Sequence, residues 1–156
     1  LASNGYAHYE TSAYAKPGSE SRHNLNYWRF GDYLGIGAGA HGKISFADRI
    51  TRETRYKQPN AFMQRAVVGD AIQEEKTVSR AELPFEFMLN ALRLSNGFAA
   101  TLFTERTGLP ITAISRQLES AEKRGLITRD IKHIKPTDKG RLFLNDLLEI
   151  FLPRRA

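Results

Sequence analysis

Four glycines within residues 33–42, at Gly35, Gly37, Gly39 and Gly42, constrain this chain more than any other feature. Almost no side chain protrudes there, so another backbone or a ligand can approach closely. The stretch is also apolar, which predicts a buried strand over residues 33–40. Just before it stand His23, Asn24, Leu25, Asn26, Tyr27 and Trp28, the last being the only tryptophan. Asn24 is a candidate N-cap, Leu25 and Trp28 are spaced as on one helix face, and Gly31 follows. Together these predict a short helix over residues 24–30. A helix-to-strand corner carrying His23, Asn24, Tyr27, Trp28, Gly37, Gly39 and Ala40 suits a ligand wall. Close packing of glycines around a core tryptophan would leave the same pattern.

Composition narrows the chemistry. With 156 residues, 41% of them hydrophobic, the chain has enough apolar material for one ordinary domain or two small ones. It has no cysteine, which excludes disulfides, thiol catalysis and an iron–sulfur cluster ligated wholly from within. Its four histidines are too scattered for a zinc site of ordinary spacing. The net charge of +6 permits an anionic partner, but residues 1–80 hold 11 basic against 8 acidic residues and residues 81–156 hold 12 against 9. That even spread argues against a dedicated phosphate-tracking surface. No apolar run is long enough to span a bilayer and no signal peptide opens the chain, so the expected compartment is the cytoplasm. An opening at Leu1 in mid-pattern is expected of a piece of a longer protein.

Taken in order, residues 1–5 read as a helix end stopped by Gly5, and residues 6–15 as one alternating strand. That strand would present Tyr6, His8, Glu10, Ser12 and Tyr14 on one face, so Glu10 and Ser12 could face a ligand or simply solvent. With the short helix and the glycine-rich segment it resembles one βαβ step of a parallel sheet. Ile44, Phe46 and Ile50 predict a hairpin turning at residues 47–49, whose Arg49, Arg52 and Arg55 either await an anion or are solvated. Residues 57–80 read as a connector with a helical turn or two.

The remainder predicts a small helical domain. One helix spans residues 82–95 with Phe85, Met88, Leu89 and Leu92 as its stripe, a second spans 98–107, and a third spans 110–124. A two-stranded wing follows over residues 126–135. Thr137 then caps a last helix whose apolar face is Leu142, Phe143, Leu147, Leu148 and Phe151. This is a winged-helix-like order, and it raises a nucleic-acid-binding module as an alternative function. The third helix would show Arg116, Lys123 and Arg124, but also Glu119 and Glu122, where phosphates would be repelled. Nucleic acid is therefore not the expected partner.

Three stretches together resemble a known family. Residues 9–18 are similar to a strand near the end of its barrel; His23, Asn24, Tyr27 and Trp28 match an HNxxYW signature; and residues 33–42 are similar to the glycine-rich strand that follows. The family is that of the oxygen-independent coproporphyrinogen III oxidase-like radical-SAM proteins, and the resemblance is to the C-terminal part of its haem-chaperone branch. Residues 83–90 and 137–145 also resemble the family's C-terminal domain. Thr11 and Ala38 depart from it, standing where an aliphatic residue and a cysteine are common.

The resemblance implies an α+β chain: the last strands and helix of a partial barrel over residues 1–56, a connector over 57–80, and a winged-helix-like domain over 81–156. It implies a [4Fe-4S] cluster and S-adenosylmethionine in the intact protein, the cluster held by an upstream CxxxCxxC motif outside this chain. Gly37, Gly39 and Ala40 would lie on the S-adenosylmethionine side, and His23, Asn24, Tyr27 and Trp28 on the tetrapyrrole side, with His23 a candidate haem-iron ligand. The partners implied are haem or porphyrin, haem-accepting proteins and the rest of the barrel. Haem binding and delivery is the expected function, with true coproporphyrinogen III oxidation as the alternative within the family. The fragment alone would be catalytically inert.

Overall fold

The structure is a computed structural model in which residues 1–153 are described. After a 3-10 turn at Ala2–Asn4, the chain forms β1 (Ala7–Glu10), β2 (Ala13–Ala15), α1 (Arg22–Trp28), β3 (His41–Ser45), β4 (Ile50–Arg55), α2 (Pro59–Val67) and β5 (Ile72–Thr77). There follow α3 (Leu83–Ala91), β6 (Phe98–Ala99), α4 (Ala100–Thr107), a 3-10 turn at Ile111–Ile114, and α5 (Ser115–Lys123). The described chain ends with β7 (Ile127–Arg129), β8 (His133–Pro136), α6 (Asp138–Leu142) and α7 (Leu144–Glu149). These elements gather into two compact units, Gly31–Ser79 and Leu1–Phe30 with Arg80–Ala156.

The second of these is organised on Phe87, fully buried in α3. Its ring meets Phe30, Phe98 and Phe103 edge-on, at centroid distances of 5.8, 5.2 and 5.2 Å. Edge-to-face contacts place the positive rim of one ring on the negative face of the next, adding to plain burial. Phe30 reaches this cluster through a left-handed turn with φ 55, which a bulky side chain seldom adopts. The turn closes α1 and drives the ring inward. Met88, Leu92, Ile114, Leu118, Ile134 and Leu147 of the same unit are also buried.

Several expectations change here. The strand expected over residues 6–15 is a hairpin: β1 and β2 pair antiparallel, with Thr11 and Ser12 making the corner. No pairing among the described residues is parallel, so the βαβ step is absent. Alternation alone cannot distinguish one strand from two joined by a two-residue turn. In α3 the buried face is Leu83, Phe87, Met88 and Ala91, with Leu89 partly exposed. The helix carries apolar residues on several faces, and of its two phenylalanines Phe87 takes the core while Phe85 stays half-buried. The expected last helix breaks at Phe143 into α6 and α7, which resets its phase and leaves Leu142 78% exposed while Leu147, Leu148 and Phe151 are buried.

Other expectations hold. Thr137 caps α6, its Oγ1 accepting from Gly140 N at 3.0 Å. The two strands expected over residues 126–135 pair as β7 and β8, and β8 pairs with β6 on its other side. In the Gly31–Ser79 unit, β3, β4 and β5 form an antiparallel sheet in that order, so the expected hairpin is present. Residues 57–80 contribute α2 and β5, more regular structure than a connector with a turn or two.

Truncating the hub tests this account of the core. Phe87→Ala should destabilise the protein by about 3–5 kcal/mol, read as a fall in the urea midpoint with an unchanged slope. A loss under ~1 kcal/mol would show that the ring cluster does not hold the unit together.

Candidate functional site

The capping residue of α1 is Ser21, not Asn24: its Oγ accepts from Asn24 N at 3.3 Å, so the helix begins at Arg22. Residues four apart share a helix face. His23 and Tyr27 form one row, their rings edge-on at 4.6 Å and 87°. Asn24 and Trp28 form the adjacent row. His23 is exposed; Asn24, Tyr27 and Trp28 are half-buried.

The Asn24 and Trp28 row rests on β1 and on the segment after α3. Asn24 Nδ2 donates to Tyr9 Oη at 3.3 Å. The guanidinium of Arg93 lies 4.4 Å from the Trp28 ring centroid, a cation–π contact. The same Arg93 reaches Glu10, with Nη2 3.7 Å from Oε2. Ser12 Oγ donates to Glu10 Oε1 at 3.1 Å. Glu10 is only 1% exposed, so its carboxylate stands inside the support of α1, while Ser12 stays exposed at the β1–β2 turn. On another side of α1, Leu25 and Arg29 border a cleft of about 690 Å³ whose lining includes Phe98, Leu102 and Arg106.

The glycine-rich segment is not a buried strand. Tyr33 makes an isolated bridge to Lys43, residues 34–40 form a loop, and β3 starts only at His41. Leu34 and Ile36 are 70% and 90% exposed. The glycines answer backbone demands: Gly37 and Gly39 have φ 102 and 72, and a Cβ on Gly35 would stand 2.3 Å from His41 O. The loop is pinned by Arg55 Nε to Gly35 O at 3.2 Å and by Gly39 N to Tyr56 O at 2.8 Å. Ala40 N is also taken, donating to Gly37 O at 3.3 Å. Gly37 alone of these has open space on its Cβ side.

Two groups escaped sequence reasoning. Arg93 had no local signal, because its meaning lies in contacts with residues far away in sequence. The other is Lys43, 1% exposed, whose Nζ donates to Asp32 Oδ1 at 2.8 Å and to Ser45 Oγ at 2.9 Å, while Ser45 Oγ donates to Asp32 at 2.8 Å. The alternation of Lys43 and Ser45 on one strand face was the available hint. Burial raises the pKa of Asp32, but the hydrogen bonds from Lys43 and Ser45 and the Lys43 charge outweigh it and hold the carboxyl below its ordinary value. No cluster of three or more metal-ligating side chains occurs among the described residues.

Comparison with known proteins places this arrangement. Residues 78–143 match the HemN C-terminal domain. The heme chaperone HemW of Escherichia coli K12 is 47% identical over 153 residues, covering 97% of this chain and 39% of that protein. HemW of Haemophilus influenzae is 45% identical over 149 residues, covering 95% and 38%. The solved structure of coproporphyrinogen III oxidase (HemN) from Escherichia coli, described as a radical SAM enzyme, superposes with a TM-score of 0.64 at 18% identity, over 97% of this chain and 38% of that one. The chain thus has the mixed α/β fold of the C-terminal part of the coproporphyrinogen III oxidase-like proteins. Within that class its sequence likeness is to the heme chaperones HemW, and it spans about two fifths of the length of those relatives.

The Asp32 cluster makes a pH prediction. A carboxyl whose pKa is depressed by folding adds stability above its ordinary value of 3.8 and loses it as pH falls further. Asp32→Asn should cost about 1–2 kcal/mol near neutral pH, since it strips a buried ammonium of its counter-ion while solvent screens part of the loss. Urea unfolding at pH 7 and pH 3 should show the wild-type advantage shrinking at the lower pH. An equal difference at both would contradict the assignment.

Proposed function

We propose that this chain is the tetrapyrrole-handling C-terminal segment of a radical-SAM-type haem chaperone, taking haem as cargo on the outer row of α1 for delivery to acceptor proteins. The carrying observation is His23: its exposed imidazole has an aromatic contact with Tyr27 but no hydrogen bond to its ring nitrogens among the described residues. A free imidazole nitrogen is a ligand for ferric or ferrous iron. The Tyr27 ring and the edge of Trp28 beside it give a porphyrin face apolar contact. Asn24 would hold the helix in place through Tyr9. Relatives at 47% and 45% identity are named heme chaperones, whereas the coproporphyrinogen oxidase likeness is one of fold at 18%, which supports delivery over oxidation.

The chain has no thiolate for a [4Fe-4S] cluster, so its residues do not fit that group and the cluster ligands would belong to residues outside it. On this reading the fragment alone is inert as an enzyme and acts in the cytoplasm. Toward S-adenosylmethionine the glycine loop offers shape more than donors. The N–H groups of Gly39 and Ala40 are spent internally, leaving Gly37 as its open point. Residues 1–56 would complete a barrel supplied elsewhere, 57–80 would connect, and 81–156 would be winged-helix-like, with the β7–β8 hairpin as wing. That domain has little to offer nucleic acid: Glu119 and Glu122 are exposed, Arg129 is paired to Glu122 at 3.0 Å, and Lys139 Nζ donates to Arg124 O at 2.9 Å.

Haemin titration followed by the Soret band tests the proposal. The chain should bind saturably, and His23→Ala should weaken binding at least about tenfold, ~1.4 kcal/mol. Equal affinities would remove His23 as ligand. No saturable binding by the wild-type chain would overturn a haem site on these residues.

A further inference from the structure

We infer that Arg93, which lies in the matched HemN C-terminal domain, is a positioning residue for the tetrapyrrole edge of α1, acting through Trp28. The inference rests on the haem reading above but starts from a different set of contacts. Three groups far from Arg93 in sequence converge on its guanidinium: the Trp28 ring at 4.4 Å, the buried carboxylate of Glu10 at 3.7 Å and the hydroxyl of Ser12, to which Nη2 donates at 3.3 Å. The guanidinium is thereby held between an indole face and a carboxylate, each of which attracts it for its own reason.

The backbone fixes Arg93 before its side chain does anything. Thr11 N donates to Arg93 O at 3.0 Å, Thr11 Oγ1 donates to the same oxygen at 3.3 Å, and Ser95 N donates to Tyr9 O at 3.0 Å. Residues 93–95 therefore lie along the end of β1 like a short extra strand, with Glu10 bridging Leu94. A side chain rooted on so constrained a backbone can set the orientation of what it stacks on. Trp28 is the immediate neighbour of Tyr27 on α1, their ring centroids 6.4 Å apart, and Tyr27 in turn meets His23 at 4.6 Å. Arg93 thus lies one ring contact from the row that would hold the cargo, and never touches it.

Stability alone explains this arrangement poorly. Trp28 Nε1 and Arg93 Nε are both buried without a hydrogen-bond partner among the described residues. Buried donors are nearly always satisfied, so two orphans side by side indicate a geometry held for orientation at some cost in stability. Arginine suits the task better than lysine, because only a planar guanidinium can stack on the indole while its edge addresses a carboxylate.

Trp28 is the chain's only tryptophan, so its fluorescence reports the clamp with or without haem. Arg93→Met should raise acrylamide quenching of Trp28 at least about twofold and weaken haemin binding about five- to tenfold. The Soret maximum should stay put, because the iron ligand is untouched. Quenching and affinity both at wild-type values in a folded variant would overturn the clamp; raised quenching with unchanged affinity would overturn its role in positioning. Should Arg93→Met not fold, Arg93→Lys carries the same test, since it keeps a charge opposite Glu10 and removes only the stacking. Failure of the wild-type chain to bind haemin would instead sink the haem reading, and the quenching result would then stand or fall separately.

Discussion

The burial of Phe30 against Phe87 is the contact on which the rest of the Leu1–Phe30 and Arg80–Ala156 unit depends. A phenylalanine at φ 55 costs on the order of 1–3 kcal/mol in backbone strain. Fully burying its ring contributes about 1.5–3 kcal/mol, and edge-to-face pairing roughly another 0.5–1.5. Strain and gain are of similar size, so the turn persists only because Phe87 is already fixed by Phe98 and Phe103. Once Phe30 is anchored, the end of α1 is fixed, and with it the direction in which each row of the helix points.

Helical period then distributes the chemistry. Asn24 and Trp28 turn toward Tyr9 and Arg93, which bond to or stack on them, while His23 is exposed with its ring edge-on to half-buried Tyr27. The same seven-residue helix is thus structural at Asn24 and Trp28 and exposed at the His23 imidazole. A carboxylate as deeply buried as Glu10 needs compensation, and Ser12 with Arg93 supplies it. The HemN C-terminal domain is in this sense part of the support of α1, not an appendage to it. In the Gly31–Ser79 unit the corresponding device is smaller: Lys43 is buried and neutralised by Asp32.

Much of this was legible in the sequence. Local signals with a stereochemical cause survived, among them Gly5 as a helix stop, the Thr137 cap and the β3–β4 hairpin. Two readings that rested on alternation or apolarity alone did not. Residues 6–15 alternate as one strand would, but turn at Thr11; residues 33–40 are apolar enough for burial, but positive φ at Gly37 and Gly39 makes them a loop. The residues of the candidate site were visible as residue types. Glu10, read with Ser12 as facing either a ligand or solvent, is drawn inward by a partner 83 positions away, and only the fold could bring that partner near.

The central claim is that the cargo sits on the outer row of α1 and not in the cleft beyond Leu25 and Arg29. Hydrogen exchange of the chain with and without haemin tests that most directly, because the short helix is otherwise expected to open readily. The account predicts new protection over residues 22–29, with α4 unchanged. Protection confined to α4 and β6, the far side of the cleft, or to the loop at residues 34–40, would contradict it.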